Sequence, residues 1–297
     1  MQKYQSIIET SADIMGAPPE GDTLAFMHSI FCQVGLPRSK QKGREFTRKN
    51  GRAWLMVQAG AIDDGEGQVM QPLPYGAFPR LALAHISTYA VRRKTPEILL
   101  GETVQDFLKN IGMSDDGRRY TTLRTQMSAL AAARLQMGFS GQTYSGQPVK
   151  RYHAWNKNKW RRGENTRQQS FWPGKIELSQ EYYATLLETA VPVDLRAMLE
   201  LSNSALALDI YFWFAHRLHR LSAPIVIHWR SLRQQFAQEY TGPEADKNFK
   251  KAALVALKSV LMVYPRADVK PVQGGLRLAP SPAPVAPRVI PVHRLPS

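Results

Sequence analysis

Ser204-Ala205-Leu206-Ala207-Leu208-Asp209-Ile210-Tyr211-Phe212-Trp213-Phe214-Ala215 holds the longest apolar run of the chain. It is apolar almost throughout, shows no strict alternation and contains neither Gly nor Pro. It therefore reads as a buried helix over about 204–220. Pro224 breaks the chain, and Ile225-Val226-Ile227 is a short β-branched run, hence a strand. Ser231 is placed to cap a helix carrying Leu232 and Phe236. Gly242-Pro243 is the next turn, and a second strong helix is expected over about 246–264. Two strand-like pieces follow, 269–272 and 276–278, joined at Gly274-Gly275.

Helix, strand, helix, helix, hairpin is the order of a winged helix-turn-helix unit, in which the second helix of the turn lies in the DNA major groove and the hairpin leans on the backbone. The second helix suits that role. Phe249, Ala253, Ala256, Leu257 and Val260 recur at helical spacing and predict a core face. Lys247, Lys251 and Lys258 fall on another face, with Lys250 on its flank. Asp246 sits in the first turn, where the helix dipole favours an acid. The alternative is an ordinary solvated lysine face.

Several residues in and before this stretch resemble the plasmid replication initiator (RepA-type) family. They are Ser204-Ala205-Leu206-Ala207-Leu208-Asp209-Ile210-Tyr211, Ile227-His228-Trp229, Leu232-Arg233-Gln234-Gln235-Phe236 and Tyr264-Pro265. Upstream, the resemblance covers Leu73-Pro74-Tyr75-Gly76 to Tyr89-Ala90-Val91-Arg92 and Gly117-Arg118-Arg119-Tyr120, and it spans about 36–280 in all. It implies binding of duplex DNA at repeated origin sequences. Opening of the origin and recruitment of the host initiator and replicative helicase would follow. Members of the family often switch between a DNA-active monomer and a homodimer that represses its own gene.

The chain has 297 residues and a formal net charge of +15, with 43% hydrophobic residues. That length allows two domains of ordinary size. The positive excess points to a polyanionic partner, nucleic acid before an acidic membrane surface. The one cysteine, Cys32, excludes an intramolecular disulfide framework and fits a reducing cytosol. The first residues lack the apolar core of a signal peptide. No apolar run approaches the roughly 18 residues of a membrane span, and the longest carries Asp209. A soluble protein of the bacterial cytoplasm, on plasmid DNA and away from membranes, is the expectation.

Residues 1–22 read as a flexible leader, with a short helix over 6–14 ended by Pro18-Pro19. Leu24, Met27, Ile30 and Phe31 predict an amphipathic helix over 23–34. Then comes a basic linker, 38–52, carrying Arg38, Lys40, Lys42, Arg44, Arg48, Lys49 and Arg52 against one acid, Glu45. It reads as a phosphate-contacting arm or, more plainly, a solvated loop. A strand is expected over 53–59 and a pairing run over 69–73. A helix follows over 75–93, a strand over 97–100, and a helix over 104–111 capped by Thr103 and ended by Gly112. The next helix, 118–133, has a core stripe of Tyr120, Leu123, Met127 and Leu130. Arg118, Arg119, Thr122 and Gln126 are its candidate DNA contacts. Strands at 135–139 and 149–155 around a Gly-rich loop complete a second helix, strand, helix, helix, hairpin order. The fold expected is therefore α+β, predominantly helical, with tandem winged helix-turn-helix domains at 23–165 and 170–280. The Pro-rich tail, 281–297, is expected to be disordered.

The first wing holds Lys150, Arg151, Lys157, Lys159, Arg161 and Arg162, interleaved with Tyr152, His153, Trp155 and Trp160. A positive segment with aromatics suits backbone phosphates, against the plainer reading of inward aromatics and solvated charge. On the second wing and its approach, Arg266, Lys270 and Arg277 are the candidates.

Catalysis is not expected. His-x-His, the metal-holding pair of rolling-circle nickases, is absent. His216 with His219, and His28 with Cys32, lack a convincing third ligand. Gly141 to Gly146 has the step of a P-loop, but Gln147 and Pro148 stand where Lys and Ser/Thr are needed. Asp63-Asp64 and Asp115-Asp116 read as turns. No metal and no cofactor are implied. The rival readings are a tandem winged-helix transcriptional regulator with no role in replication, and a nicking or relaxing enzyme.

Overall fold

The structure, a computed structural model, describes residues 2–64, 67–113, 117–139, 141–152 and 174–286. Helix α8 (Ala205–Arg217) is its axis. Every residue from Leu206 to Ala215 is buried, so the apolar run is a helix sunk on all sides, as its lack of an amphipathic period requires. Ser204 caps it, its hydroxyl accepting from the Ala207 N–H. Helices α2 (Ser29–Gln33), α3 (Ala77–Arg93) and α10 (Ala245–Val263) pack around it. One hydrophobic core, running from Ile7 to Leu278, joins both halves of the chain.

After α8 come β12 (Ile225–His228), α9 (Trp229–Phe236), α10, β13 (Val269–Val272) and β14 (Gly275–Leu278), the order read from the sequence. The strands form an antiparallel sheet in the order β12-β14-β13. Helix α9 starts two residues before Ser231, with His228 at its N-cap and no side-chain cap bond.

The first half carries α3, β6 (Glu97–Leu99), α4 (Val104–Asn110), α5 (Gly117–Ala132), β9 (Val149–Tyr152) and β10 (Lys175–Leu178). Its sheet runs β6-β10-β9, the same order as β12-β14-β13. The hairpin expected from 135–139 and 149–155 is not the one that forms. Strand β7 (Arg134–Phe139) turns at Gly141, φ +80°, into β8 (Gln142–Gly146), which takes up most of the expected loop. Both join β2 (Glu45–Asn50) and β3 (Ala53–Gln58) in a four-stranded sheet, β2-β3-β7-β8. The partner of β9 is β10, which lies beyond the boundary placed near residue 170. Fourteen strands in the described residues make the chain mixed α/β rather than predominantly helical.

Three other expectations are corrected. Residues 2–16 form helix α1, whose Ile7 is buried, and Arg196 donates to the Asp13 and Ala17 carbonyls at 2.9 Å. This part of the chain is docked rather than a flexible leader. Residues 24–28 form strand β1, not a helix, and pair with β11 (Ala190–Asp194). Leu24 and Met27 match a helical period, but buried Ala25 and Met27 also match a strand period, and pairing across the chain decides.

The third correction is the basic linker. Its Arg48 stands in β2 with its side chain fully buried. It grips both oxygens of Glu239, at 2.9 and 3.0 Å, and the Gly35 and Leu36 carbonyls. Arg44, although exposed, donates to the Gln71, Ala59 and Gly60 carbonyls. The strap 35–37 is held from its other side by Arg80 of α3, which meets Asp209 of α8 through two bonds, Nε to Oδ1 at 2.6 Å and Nη2 to Oδ2 at 2.7 Å. Arg80 also donates to the Leu36, Pro37 and Gly76 carbonyls, so all its N–H groups have acceptors. The pair is 3% and 2% exposed, deep enough that losing either partner strands a charge. A Cβ at Gly35 would stand 2.6 Å from Asp209 Oδ2, so only glycine fits that approach.

Candidate nucleic-acid interface

Helix α10 presents two faces. Ala245, Phe249, Ala253, Ala256, Leu257, Val260 and Val263 are buried against the core. At 100° per residue, Lys247, Lys251 and Lys258 fall opposite them, and all three are exposed, as is Lys250 on the flank. The first turn is braced from α9. Arg233 donates to the Asp246 carboxylate with Nε and to the Tyr240 carbonyl with Nη1 at 2.8 Å, tying the two helices across their turn.

The lysines are engaged to different degrees. Lys247 lies 2.7 Å from Glu244, an exposed pair worth little. Lys250 stands 5.7 Å over the Trp229 ring, an attraction that orients the chain while leaving its charge outside. Lys251 has no ion-pair partner in the described residues. On the hairpin, Lys270 and Arg277 both approach Asp268, at 3.8 and 3.3 Å, and Arg266 is exposed. Arg230, exposed on the first turn of α9, adds a cation that the sequence reading passed over. Its position on the solvent side of the Trp229, Leu232, Phe236 stripe was the available signal.

The corresponding face of α5 is different. Thr121, Thr122 and Thr125 are exposed. Gln126 is 1% exposed, and its Oε1 accepts the Tyr75 N–H at 2.7 Å. It is a structural link to the start of α3, not a groove contact. The side chains of Arg118 and Arg119 lie outside the described residues. On β9, Lys150 and Arg151 are exposed yet share Glu177 of β10, at 2.9 and 3.2 Å. The bond from Lys150, with the charges of Arg151 and Lys175, holds the Glu177 carboxyl below its usual range. Tyr152 is half-buried and packs against the core, its hydroxyl 3.4 Å from Ser128 and pushed up to about 12 by burial. Lys157, Lys159, Arg161, Arg162, His153, Trp155 and Trp160 lie outside the described residues.

The residues weighed as metal ligands are committed elsewhere. His28 Nδ1 accepts the Ile30 N–H at 3.2 Å and its Nε2 meets Thr185 Oγ1. Cys32 is buried, which raises its thiol pKa. His216 and His219 both contact the Arg220 guanidinium, and burial beside that cation pushes His216 down to about 4. Among the described residues no helix is long and apolar enough to cross a membrane.

A family profile described as plasmid encoded RepA protein matches residues 73–230, more than half of the chain. The chain belongs to this RepA family. The match contains both members of the Arg80–Asp209 pair and ends in α9, so α10 and its hairpin lie beyond it. Two solved structures are similar to this RepA-family chain. One, of selenomethionine derivatives of domains 2 and 3 of RctB, has TM-score 0.47 and 13% identity and covers 77% of this chain and 81% of that one. The other, of RctB domains 2–3, has TM-score 0.47 and 12% identity and covers 84% and 94%. No curated protein matches the sequence. Membership of the family supports a replication-initiator role.

Proposed function

We propose that this chain is a plasmid replication initiator that binds duplex DNA at repeated sequences of the origin through two winged-helix units. Helix α10 enters the major groove and the β13–β14 hairpin lies along the backbone, while α5 and the β9–β10 hairpin make the matching contacts of the first unit. The observation that carries this reading is the repeated topology: two antiparallel sheets of order β6-β10-β9 and β12-β14-β13, each with a helix pair inserted in the chain after its first strand, and a lysine face outward on α10. A chain of net charge +15 is drawn to DNA because bound lysines and arginines release condensed cations. Bound copies then help open the origin and bring in the host initiator and helicase, and a dimeric form represses the initiator's own gene. The protein acts by binding, without catalysis, in the bacterial cytoplasm.

The test is titration of duplex origin DNA from the plasmid that carries the gene, over a range of salt. Lys247→Ala with Lys251→Ala should lower affinity and reduce the slope of log K against log salt by about 0.9 for each phosphate contact removed. The circular dichroism spectrum should not change, since both side chains are exposed. Unchanged affinity and slope would remove α10 from the interface. Plasmid maintenance in a host lacking other initiators separates replication from promoter binding alone.

A further inference from the structure

Within that reading, we infer that Asn248 and Val255 make α10 a reader of A·T pairs, the Asn248 amide taking the adenine edge and Val255 lying against a thymine methyl. Val255 is 68% exposed, more than any other large hydrophobic side chain described in the protein. It does not sit on a neutral surface. Counting along the helix, Asn248, Lys251, Val255 and Lys258 are spaced by three, four and three residues, so they make one stripe facing away from Phe249 and Val260. A valine there gains nothing from packing, and a β-branched residue costs helix stability relative to alanine or lysine. Asn248 carries a similar cost. It is exposed, and its side-chain amide makes no hydrogen bond among the described residues, the backbone N–H alone bonding to the Glu244 carbonyl.

Both chemistries have a use in the major groove. Adenine presents an acceptor at N7 and a donor at N6, which one asparagine amide satisfies together. Thymine presents a methyl group, which only an apolar surface rewards. Flanking lysines supply attraction without sequence preference, so the uncharged members of the stripe are left to discriminate. Seven residues of helix rise about 10 Å, close to three base steps at about 3.4 Å each. The two contacts therefore fall on base pairs about three steps apart.

The experiment replaces thymine by uracil, one position at a time, across the footprint of the full-length protein on its origin fragment. Uracil lacks only the methyl group. Wild type should lose affinity about fourfold at one or two thymines, the worth of one buried methyl-sized group. Val255→Ser should lose that sensitivity and leave the salt slope unchanged. Asn248→Ala should cut discrimination between A·T and G·C about tenfold or more at a position about three steps away. Wild type that binds with a lysine-dependent salt slope yet ignores every uracil would overturn the inference and leave DNA binding standing. So would Val255→Ser that keeps the full uracil penalty, or Asn248→Ala that keeps full discrimination. Failure of wild type to bind duplex DNA at all would overturn both readings.

Discussion

The two halves of this molecule repeat one topology and differ in how it is wired. Each has a long helix, a short strand, a helix pair and two strands that pair in the same order, β6-β10-β9 and β12-β14-β13. In the first, α4 begins with a reciprocal capping box between Thr103 and Asp106, whereas α9 begins at His228 with no side-chain cap. In the first, the third strand opens on Lys175, opposite Leu99; in the second it opens on Gly275, opposite His228. Helix α5 shows threonines outward and α10 shows lysines. The topology is thus compatible with several surfaces. Where the long helices α3 and α8 meet, the halves are not separate: Arg80 and Asp209 join them through a buried pair.

That junction gives the largest expected effect. Asp209→Ala leaves the Arg80 guanidinium buried without its counter-charge, which costs about 3–5 kcal/mol. The urea midpoint should fall by that free energy divided by the m-value, with tryptophan fluorescence and far-ultraviolet circular dichroism moving together. Two transitions, with only one displaced, would show that the halves fold independently and that the comparison is between domains rather than parts of one core.

The next test sharpens the contrast between the sheets. A Cβ at Gly275 would stand 2.3 Å from the Ile227 carbonyl oxygen, a backbone atom that cannot step aside. Gly275→Ala should cost about 3 kcal/mol, the upper part of the range for forced overpacking. Lys175, at the start of β10, already bears a side chain, and Lys175→Ala should leave the urea midpoint nearly unchanged. Equal losses at both positions would mean that the two sheets share more geometry than their order.

Between the halves lies the β1–β11 ladder, and its His28 supplies a pH test. Burial pushes His28 down to about 3 from an ordinary 6.5. Below pH 6.5 the unfolded chain therefore takes up a proton that the folded chain refuses. Stability is lost as pH falls from 6.5 towards 3, by about 2 kcal/mol at pH 5 at 1.36 kcal/mol per pH unit. His28→Gln removes this contribution, so its stability should fall less steeply between pH 7 and 5. An unchanged slope would assign the acid sensitivity to His85 and His216, which burial also lowers.

Much of the second half was legible because its signals are local. Pro224, the run Ile225-Val226-Ile227 and the pair Gly274-Gly275 mark their own elements, and the apolar spacing of α10 returned its buried face residue by residue. The first half was less legible because long-range pairing decides it. Nothing near Arg134–Phe139 says that it pairs with β3 rather than β9, and nothing near Lys175–Leu178 says that it returns to Glu97–Leu99. Charge misled for a related reason. Arg48 and Gln126 look solvent-facing in a basic or polar run, but Glu239 and the Tyr75 N–H, far away in the chain, take them inside.

The smallest expected effect concerns the helix starts. The Thr103 hydroxyl accepts the Asp106 N–H at 3.1 Å, while the Asp106 carboxylate accepts the Thr103 N–H at 3.1 Å. Each bond fills a donor that the first turn of α4 cannot satisfy internally. Thr103→Ala should therefore cost about 1 kcal/mol, read as a small shift in the urea midpoint. His228→Ala in the second half removes no cap bond and should shift it by less. Because α4 is a short helix of 7 residues that packs only Val104, Phe107 and Leu108 inward, its cap carries a larger share of its stability than any cap on the long α10 would. If His228→Ala proved as costly as Thr103→Ala, the imidazole would be supporting the Gly274 turn, where a Cβ added at the glycine would stand 3.7 Å from His228 Nδ1, and the second unit would brace its hairpin where the first braces its helix.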